Sequence, residues 1–213
     1  MTPDDLSKLK QFVINSTSSF DESHDANHAF QVYEAAIDIA NSLDIPYEED
    51  MITYISMCHD IRDHKYPNSI SEDELRTFLT EHLGRINAMR ALGVIHCISW
   101  SGESKGNYPR SSVIWDSINS QLLDYVYLVI VRDADRLQAL GPKGIDRCLA
   151  LCKARGLTDS EAKEETHRHC KEKLLRLLPE RYIVSDRARL LAKEGHDYIR
   201  NWYYSNGAWL AGR

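Results

Sequence analysis

The 213-residue sequence lacks a long hydrophobic run and lacks an excess of positive charge. Its longest strongly apolar run extends from Tyr125 to Val131, whereas a membrane-spanning helix needs about 20 apolar residues. The first residues mix acidic and basic side chains and do not resemble a secretory signal. The formal net charge of −6 gives no reason to expect general nucleic-acid binding. We therefore expect a soluble protein with no membrane partner.

The five cysteines are too few and too irregularly spaced for a disulfide framework. Their odd number is typical of reduced thiols, which predicts a cytoplasmic location. One alternative stays open, because a cysteine pair at i, i+4 is followed by other residue types that bind zinc. The pair lacks zinc-finger spacing and also fits an apolar helix face. The residues of this alternative zinc site are Cys148, Cys152, His167, His169 and Cys170.

Sustained strand alternation is also absent, and apolar residues recur at the helical period, for example from Asn27 to Leu43. The run from Tyr125 to Val131 is rich in β-branched and aromatic residues, but its flanks have a helical pattern, so we predict a buried helix. We expect an all-α helical bundle forming a single domain over residues 1–213. Its core covers about residues 20–150, and C-terminal helices at about 159–206 pack on it.

Capping and turn residues predict where helices begin and end. Ser71 and Glu74 form the pattern of a capping box, and Gly84 separates their helix from the next one. Glycine, asparagine and proline between residues 101 and 112 predict a long polar loop. Residues 141–147 follow the long helix, and their glycines permit a tight chain reversal. The other helices are predicted at about residues 48–60, 116–140, 159–178 and 185–205.

Two histidines and an aspartate lie where predicted helices face the core. His28 shares the apolar stripe of its helix, and the pair His59 and Asp60 follows the apolar run MITYISMC. A lone buried histidine is usually satisfied by a hydrogen bond, but a buried aspartate needs a cation or several donors to stay ionised. The adjacent pair therefore favours a site for a divalent metal with nitrogen and oxygen ligands. Helical periodicity leaves open whether Asp133 or Asp135 supplies a further ligand.

Three ordered segments carry a resemblance to a known family. They are HDANHAFQV, CHDIRDHKY and VRDADRLQALGPKGIDR. Together they resemble the H…HD…D signature of HD-domain metal-dependent phosphohydrolases, and especially small standalone bacterial members, some of which act on nucleotides. The resemblance extends over about residues 23–147. One departure is Gln31, where the family often has an arginine.

This resemblance implies an HD-domain helical bundle and a specific set of metal ligands. The ligands would be His28, His59, Asp60 and Asp135, since the wording ADRL selects Asp135 over Asp133. The cofactor would be a divalent cation, with Mn²⁺ favoured and Mg²⁺, Fe²⁺, Co²⁺, Ni²⁺ or Zn²⁺ as alternatives.

Three further residues are candidates for the chemistry. Asp63 lies four residues after His59, where related hydrolases carry a glutamate that handles the proton, and the resemblance gives Asp63 that catalytic role. Lys65 and Arg147 would bind the substrate's phosphate. For Asp63 and Lys65 the alternative is an ordinary solvated surface residue. Asp25, just before the helix that carries His28, is expected to cap that helix or to orient the imidazole of a metal ligand.

The resemblance implies that the protein hydrolyses a phosphate ester or anhydride of a small metabolite, with a nucleotide as the favoured substrate. The reaction would be that of a phosphatase or a pyrophosphatase. Two alternatives stay open. One is an alarmone-type signalling-nucleotide hydrolase, and the other is a non-catalytic regulatory module that retains the metal. The C-terminal aromatic residues are expected to pack a closing helix or to form a homodimer surface.

Overall fold

The structure, a computed structural model, describes residues 1–21, 24–62, 66–117 and 123–211, with the backbone alone at 117 and 208–211. Within these residues the secondary structure consists of helices and contains no strand, which confirms the all-α prediction. No described helix is both long enough and apolar enough to cross a membrane. The chain divides into two compact units, residues 1–134 and 135–213, and the single-domain organisation stays a prediction.

The first unit is built around a short central helix. Every residue of that helix from Met51 to Cys58 is buried, and it packs against the helices before and after it in the chain. Burial on all sides explains why the stretch is mostly apolar. Its two hydroxyl side chains, Thr53 and Ser56, donate hydrogen bonds to backbone carbonyls of Glu49 and Ile52. The helices of this unit are α1 Pro3–Ser16, α2 Ala26–Asn41, α3 Glu49–Cys58, α4 Glu72–His96, α5 Trp100–Ser104, α6 Ser111–Ser117 and the larger part of α7 Leu123–Gln138.

Several predicted helix boundaries are confirmed. Ser71 caps α4 by accepting a hydrogen bond from the backbone N–H of Glu74 at 3.2 Å, and the Glu74 carboxylate accepts one from the backbone N–H of Ser71 at 2.8 Å. The backbone leaves the helical region at Gly84, whose φ of 74° is a left-handed value that favours glycine. The stretch Tyr125–Val131 is helical, as predicted, and lies within α7, where Val126–Val131 are buried and Tyr125 is exposed.

Two predicted loops are wrong in part. The segment 101–112 holds α5 and the beginning of α6, and the Ser99 side chain caps α5 by accepting a hydrogen bond from the backbone N–H of Gly102. The segment 141–147 is the first half of α8, because only Gly141 adopts a left-handed φ, 78°, and Pro142 is then favourable in a first helical turn. The predicted helix at 116–140 lies partly outside the described residues.

The second unit consists of the end of α7 and three helices joined by short connections. Its helices pack closely enough that a Cβ atom placed on Gly195 would lie 2.9 Å from the Cβ of Leu140 and 3.1 Å from the backbone nitrogen of Gly141. Glycine therefore permits the close approach of α10 to the beginning of α8. The elements of this unit are α8 Gly141–Ala154, α9 Asp159–Glu172, a 3₁₀ turn Leu174–Arg176 and α10 Asp186–Ala211.

Candidate metal centre

The first histidine of the site is placed by the beginning of α2. The side chain of Asp25 caps this helix and accepts a hydrogen bond from the backbone N–H of His28 at 2.8 Å. The cap fixes the first helical turn, so the His28 side chain, which is buried, points inward beside the ring of His59 at 5.4 Å between centroids. Asp25 thus has the capping role that the sequence predicted for it.

The second histidine follows the last turn of α3 and is held by a backbone carbonyl. Nδ1 of His59 lies 2.7 Å from the carbonyl oxygen of Ser56. A carbonyl oxygen can only accept, so Nδ1 carries the hydrogen and donates it. In the neutral ring Nε2 then carries the lone pair, which is the form that binds a metal ion.

The carboxylate of Asp60 is the point where the imidazoles converge. Its Oδ2 lies 3.2 Å from Nε2 of His59 and 3.6 Å from Nε2 of His28. Burial alone would raise the pKa of this carboxyl, but the neighbouring imidazoles of His59 and His28 outweigh burial and hold the pKa well below its usual range. Asp60 is therefore an anion facing two ring nitrogens, an arrangement that a cation can satisfy.

A fourth side chain comes from α7. One ligand atom each from His28, His59, Asp60 and Asp135 lies within 4.8 Å of the other three. Asp135 directly follows Ala134, the last residue of the first unit, within the same continuous helix. Two nitrogen and two oxygen donors match the ligand preferences of Mn, Fe, Co, Ni, Zn and Mg ions. The residues therefore fit the divalent cation that the sequence resemblance implied.

The group contains Asp135 and not Asp133. Asp133 lies two residues earlier on α7, and its side chain is fully buried. A rotation of about 200° separates positions i and i+2 on a helix, so the two carboxylates leave the helix in nearly opposite directions. The ligand role of Asp135 itself stays a proposal.

The residues predicted to act on the substrate are less well placed. Asp63 and Lys65 lie outside the described residues. Arg147 is half-buried on α8, where its guanidinium donates to the backbone carbonyl of Gln138 at 3.4 Å. Its predicted contact with phosphate stays a prediction.

The alternative zinc site is not formed in the part of the chain that the structure describes. There, the group that contains Asp60 is the one set of three or more histidine, cysteine or acidic residues close enough to hold a metal. The five cysteines are free thiols. Burial raises the pKa of Cys148 to about 11 and that of Cys170 to about 12, so both thiols are protonated near neutral pH without a metal.

The sequence did not assign a role to His24, yet it lies at the edge of the site. Its Nε2 is 4.0 Å from Oδ2 of Asp60, and its Nδ1 is 3.0 Å from the hydroxyl of Tyr66. The available signal was the first histidine of the segment HDANH, four residues before His28 and just ahead of the Asp25 cap of α2. No local pattern could have placed Tyr66 beside it, because 42 residues separate the two in the chain.

Comparison with known proteins identifies the family. No protein-family model matches the sequence of this chain. Protein YpgQ of Bacillus subtilis is 30% identical over 189 residues, which cover 84% of this chain and 82% of YpgQ. The chain belongs to the YpgQ family.

Solved structures agree with this assignment and define the fold. The crystal structure of YpgQ superposes with a TM-score of 0.69, covering 95% of this chain and 93% of YpgQ at 22% identity, and YpgQ has also been crystallised in complex with ADP. A protein from Lactobacillus plantarum gives a TM-score of 0.74 over the whole of both chains at 18% identity. An HD-superfamily hydrolase from Bacillus thuringiensis gives 0.65 at 21% identity, covering 99% of this chain and 98% of its own. This YpgQ-family chain therefore has the HD-superfamily fold, as the sequence resemblance predicted.

Proposed function

We propose that the protein is a metal-dependent phosphohydrolase that cleaves a phosphate ester or anhydride of a nucleotide. The observation that carries the proposal is the convergence of His28, His59, Asp60 and Asp135 on one point. The HD-superfamily fold supports the hydrolase class, and the ADP complex of YpgQ supports a nucleotide as the substrate. We propose Mn²⁺ as the physiological ion, and the cytoplasmic location and a homodimer likewise remain proposals.

The four side chains would hold the ion in complementary ways. His59 is fixed in the metal-binding tautomer by Ser56, and Asp60 brings a negative charge that partly neutralises the cation. A bound divalent cation lowers the pKa of water and offsets the negative charge of a phosphate. The carboxylates of Asp60 and Asp135 are only half-buried, so solvent reaches the ligand group, as a substrate would have to.

The remaining residues would complete the hydrolysis. The oxygen of a water molecule forms a bond to phosphorus, and the bond from phosphorus to the leaving oxygen breaks with its electron pair. Asp63 would transfer the proton of that water to the leaving oxygen. Lys65 and Arg147 would bind the non-bridging phosphate oxygens, Lys65 as a point charge and Arg147 as a planar fork.

A nucleotide panel with Mn²⁺ tests this proposal. Nucleoside mono-, di- and triphosphates and a nucleotide with a 3′-pyrophosphate are each incubated with the wild type and with Asp60→Asn, which keeps the side-chain size but removes the charge. Phosphate or pyrophosphate release by the wild type, reduced at least about 100-fold in Asp60→Asn, supports the proposal. Activity confined to the 3′-pyrophosphate would instead establish the signalling-nucleotide alternative. Metal binding without cleavage of any compound would establish the regulatory module.

A further inference from the structure

We propose that His24 is an additional catalytic residue, whose Nε2 accepts a hydrogen bond from the attacking water. The inference rests on the proposed phosphohydrolase function and assigns to that reaction a residue outside the predicted site. It follows from three observations. They are the position of His24 beside Asp60, the contacts that fix its ring, and its exposure to solvent.

The position of His24 suits a water-mediated contact. Its Nε2 lies 4.0 Å from Oδ2 of Asp60, and its ring lies 6.2 Å from the ring of His28. His24 is not a member of the group whose ligand atoms lie within 4.8 Å of one another. A water that makes hydrogen bonds of about 2.8 Å to an imidazole nitrogen and to a carboxylate oxygen can bridge two groups that lie too far apart for a direct hydrogen bond, so Nε2 of His24 is within range of a water beside Asp60.

The ring of His24 is held in one tautomer by a chain of hydrogen bonds. The hydroxyl of Tyr66 donates its single hydrogen to Oδ2 of Asp21 at 2.6 Å. The 3.0 Å contact between that hydroxyl and Nδ1 of His24 therefore requires the hydrogen to lie on Nδ1. Nε2 then carries the lone pair in the neutral ring and faces Asp60, so it acts as an acceptor.

The Tyr66 side chain is itself anchored, which makes this chain of contacts rigid. Its ring stacks on Phe20 with 4.0 Å between centroids and an interplanar angle of 12°. Tyr66 therefore joins two segments that are distant in sequence, the approach to α2 and the segment before α4. The side chain of His24 is 20% exposed, so solvent water reaches the ring.

The same residues argue against His24 as a ligand of a second cation. Such an ion, placed between Nε2 of His24 and Asp60, would need further ligands on that side. The carboxylate of Asp21 lies on the opposite side of the ring, with its Oδ1 3.7 Å from Nδ1. It does not complete a second site together with Nε2, and among the described residues the group close enough to hold a metal does not include His24.

Steady-state kinetics combined with calorimetric Mn²⁺ titration tests the inference. We expect His24→Ala to lower kcat about 100-fold while KM and the Mn²⁺ Kd stay within about threefold of wild type, because the water is misplaced but substrate and ion are still bound. His24→Gln, which can place an amide oxygen near the position of Nε2, should recover part of kcat. Tyr66→Phe keeps the stacked ring but removes the hydroxyl, and it should lower kcat about tenfold. Tyr47→Phe is the matched control, since the Tyr47 hydroxyl bonds Asn41 on the surface.

The outcomes separate this inference from the proposed function. Wild-type hydrolysis with an unchanged kcat in His24→Ala would overturn the role of His24 alone. A Mn²⁺ Kd raised more than tenfold in His24→Ala, or a stoichiometry that falls from two ions to one, would overturn it in favour of a direct ligand. A wild type that binds Mn²⁺ but hydrolyses no nucleotide would overturn the proposed function itself.

Discussion

Arg132 and Glu103 form an ion pair at 3.5 Å in which both side chains are completely buried. The guanidinium also donates to the backbone carbonyls of Cys97 at 3.1 Å and Pro109 at 2.8 Å, and the Glu103 carboxylate accepts from the backbone N–H of Ser111. This network fixes α7 to the segment that contains α5 and the beginning of α6. Asp135 lies three residues after Arg132, so the same network supports the helix that carries the fourth ligand.

Breaking this ion pair should destabilise the protein strongly. We expect Arg132→Met to lower the free energy of unfolding by about 3–5 kcal/mol, because it leaves the Glu103 carboxylate buried and without its cation. The double variant Arg132→Met/Glu103→Gln should recover part of the loss, since no isolated charge remains. Urea denaturation of the three proteins measures both effects. A loss below about 1 kcal/mol in Arg132→Met would show that the network contributes little.

A divalent cation should stabilise the folded wild type. An ion that binds only the folded protein adds about 2.7 kcal/mol at a concentration of 100 times its Kd. We expect Mn²⁺ to raise the Tm of the wild type and EDTA to reverse the rise, as measured by scanning calorimetry. Asp60→Asn should give no comparable rise, because it lacks the charge at the centre of the ligand group. An equal shift in both proteins would place the ion elsewhere.

The stability should fall in acid because of His169. Burial, with a smaller contribution from Lys173, lowers the pKa of His169 from its ordinary value of 6.5 to about 4. Between these values the unfolded chain binds a proton that the folded protein does not, so the free energy of unfolding falls as the pH falls through this window. We expect His169→Gln to remove about 1–2 kcal/mol of that fall. Chemical denaturation at pH 7.5, 6 and 4.5 gives the free energy of unfolding of both proteins. If it fell equally with pH in the wild type and in His169→Gln, the assignment to His169 would be contradicted.

Two glycine substitutions should have opposite effects. Gly195→Ala places a methyl group against the backbone of Gly141, which cannot move aside easily, and should destabilise by about 1–3 kcal/mol. Gly93→Ala is the matched control in another helix, where a Cβ meets nothing within 4 Å, and it should stabilise by up to about 1 kcal/mol. Thermal denaturation measures the change in stability of each variant. An unchanged Tm in Gly195→Ala would mean that α10 approaches α8 less closely.

The sequence predicted the features that depend on local pattern. Ser71 and Glu74 form a capping box within four residues, and the helix through Tyr125–Val131 follows from its flanks. The all-α class likewise followed from helical periodicity, but the HD-domain arrangement and the ligand set needed more, since His28, His59 and Asp135 come from three separate segments. Their grouping was predicted from the family resemblance, because spacing alone does not define how helices pack.

The remaining features depend on contacts that no local pattern shows. The predicted loop at 101–112 is polar in composition, yet Glu103 lies inside it and is fully buried because Arg132 comes from a distant helix. The glycine-rich segment 141–147 resembled a turn, but only Gly141 needs a left-handed φ. The tautomer of His24 depends on Tyr66, which lies 42 residues away in the chain, so the sequence around His24 does not predict the contact.

The most direct test of the account is the metal content of purified protein, measured by elemental analysis together with hydrolysis of the nucleotide panel. The proteins are the wild type, His59→Ala and Asp135→Asn, with Asp38→Asn as a control on α2 outside the ligand group. The account predicts about one divalent ion or more per chain in the wild type and the control, and loss of both metal and hydrolysis in His59→Ala and Asp135→Asn. Metal retained at the wild-type level in all four proteins would contradict it.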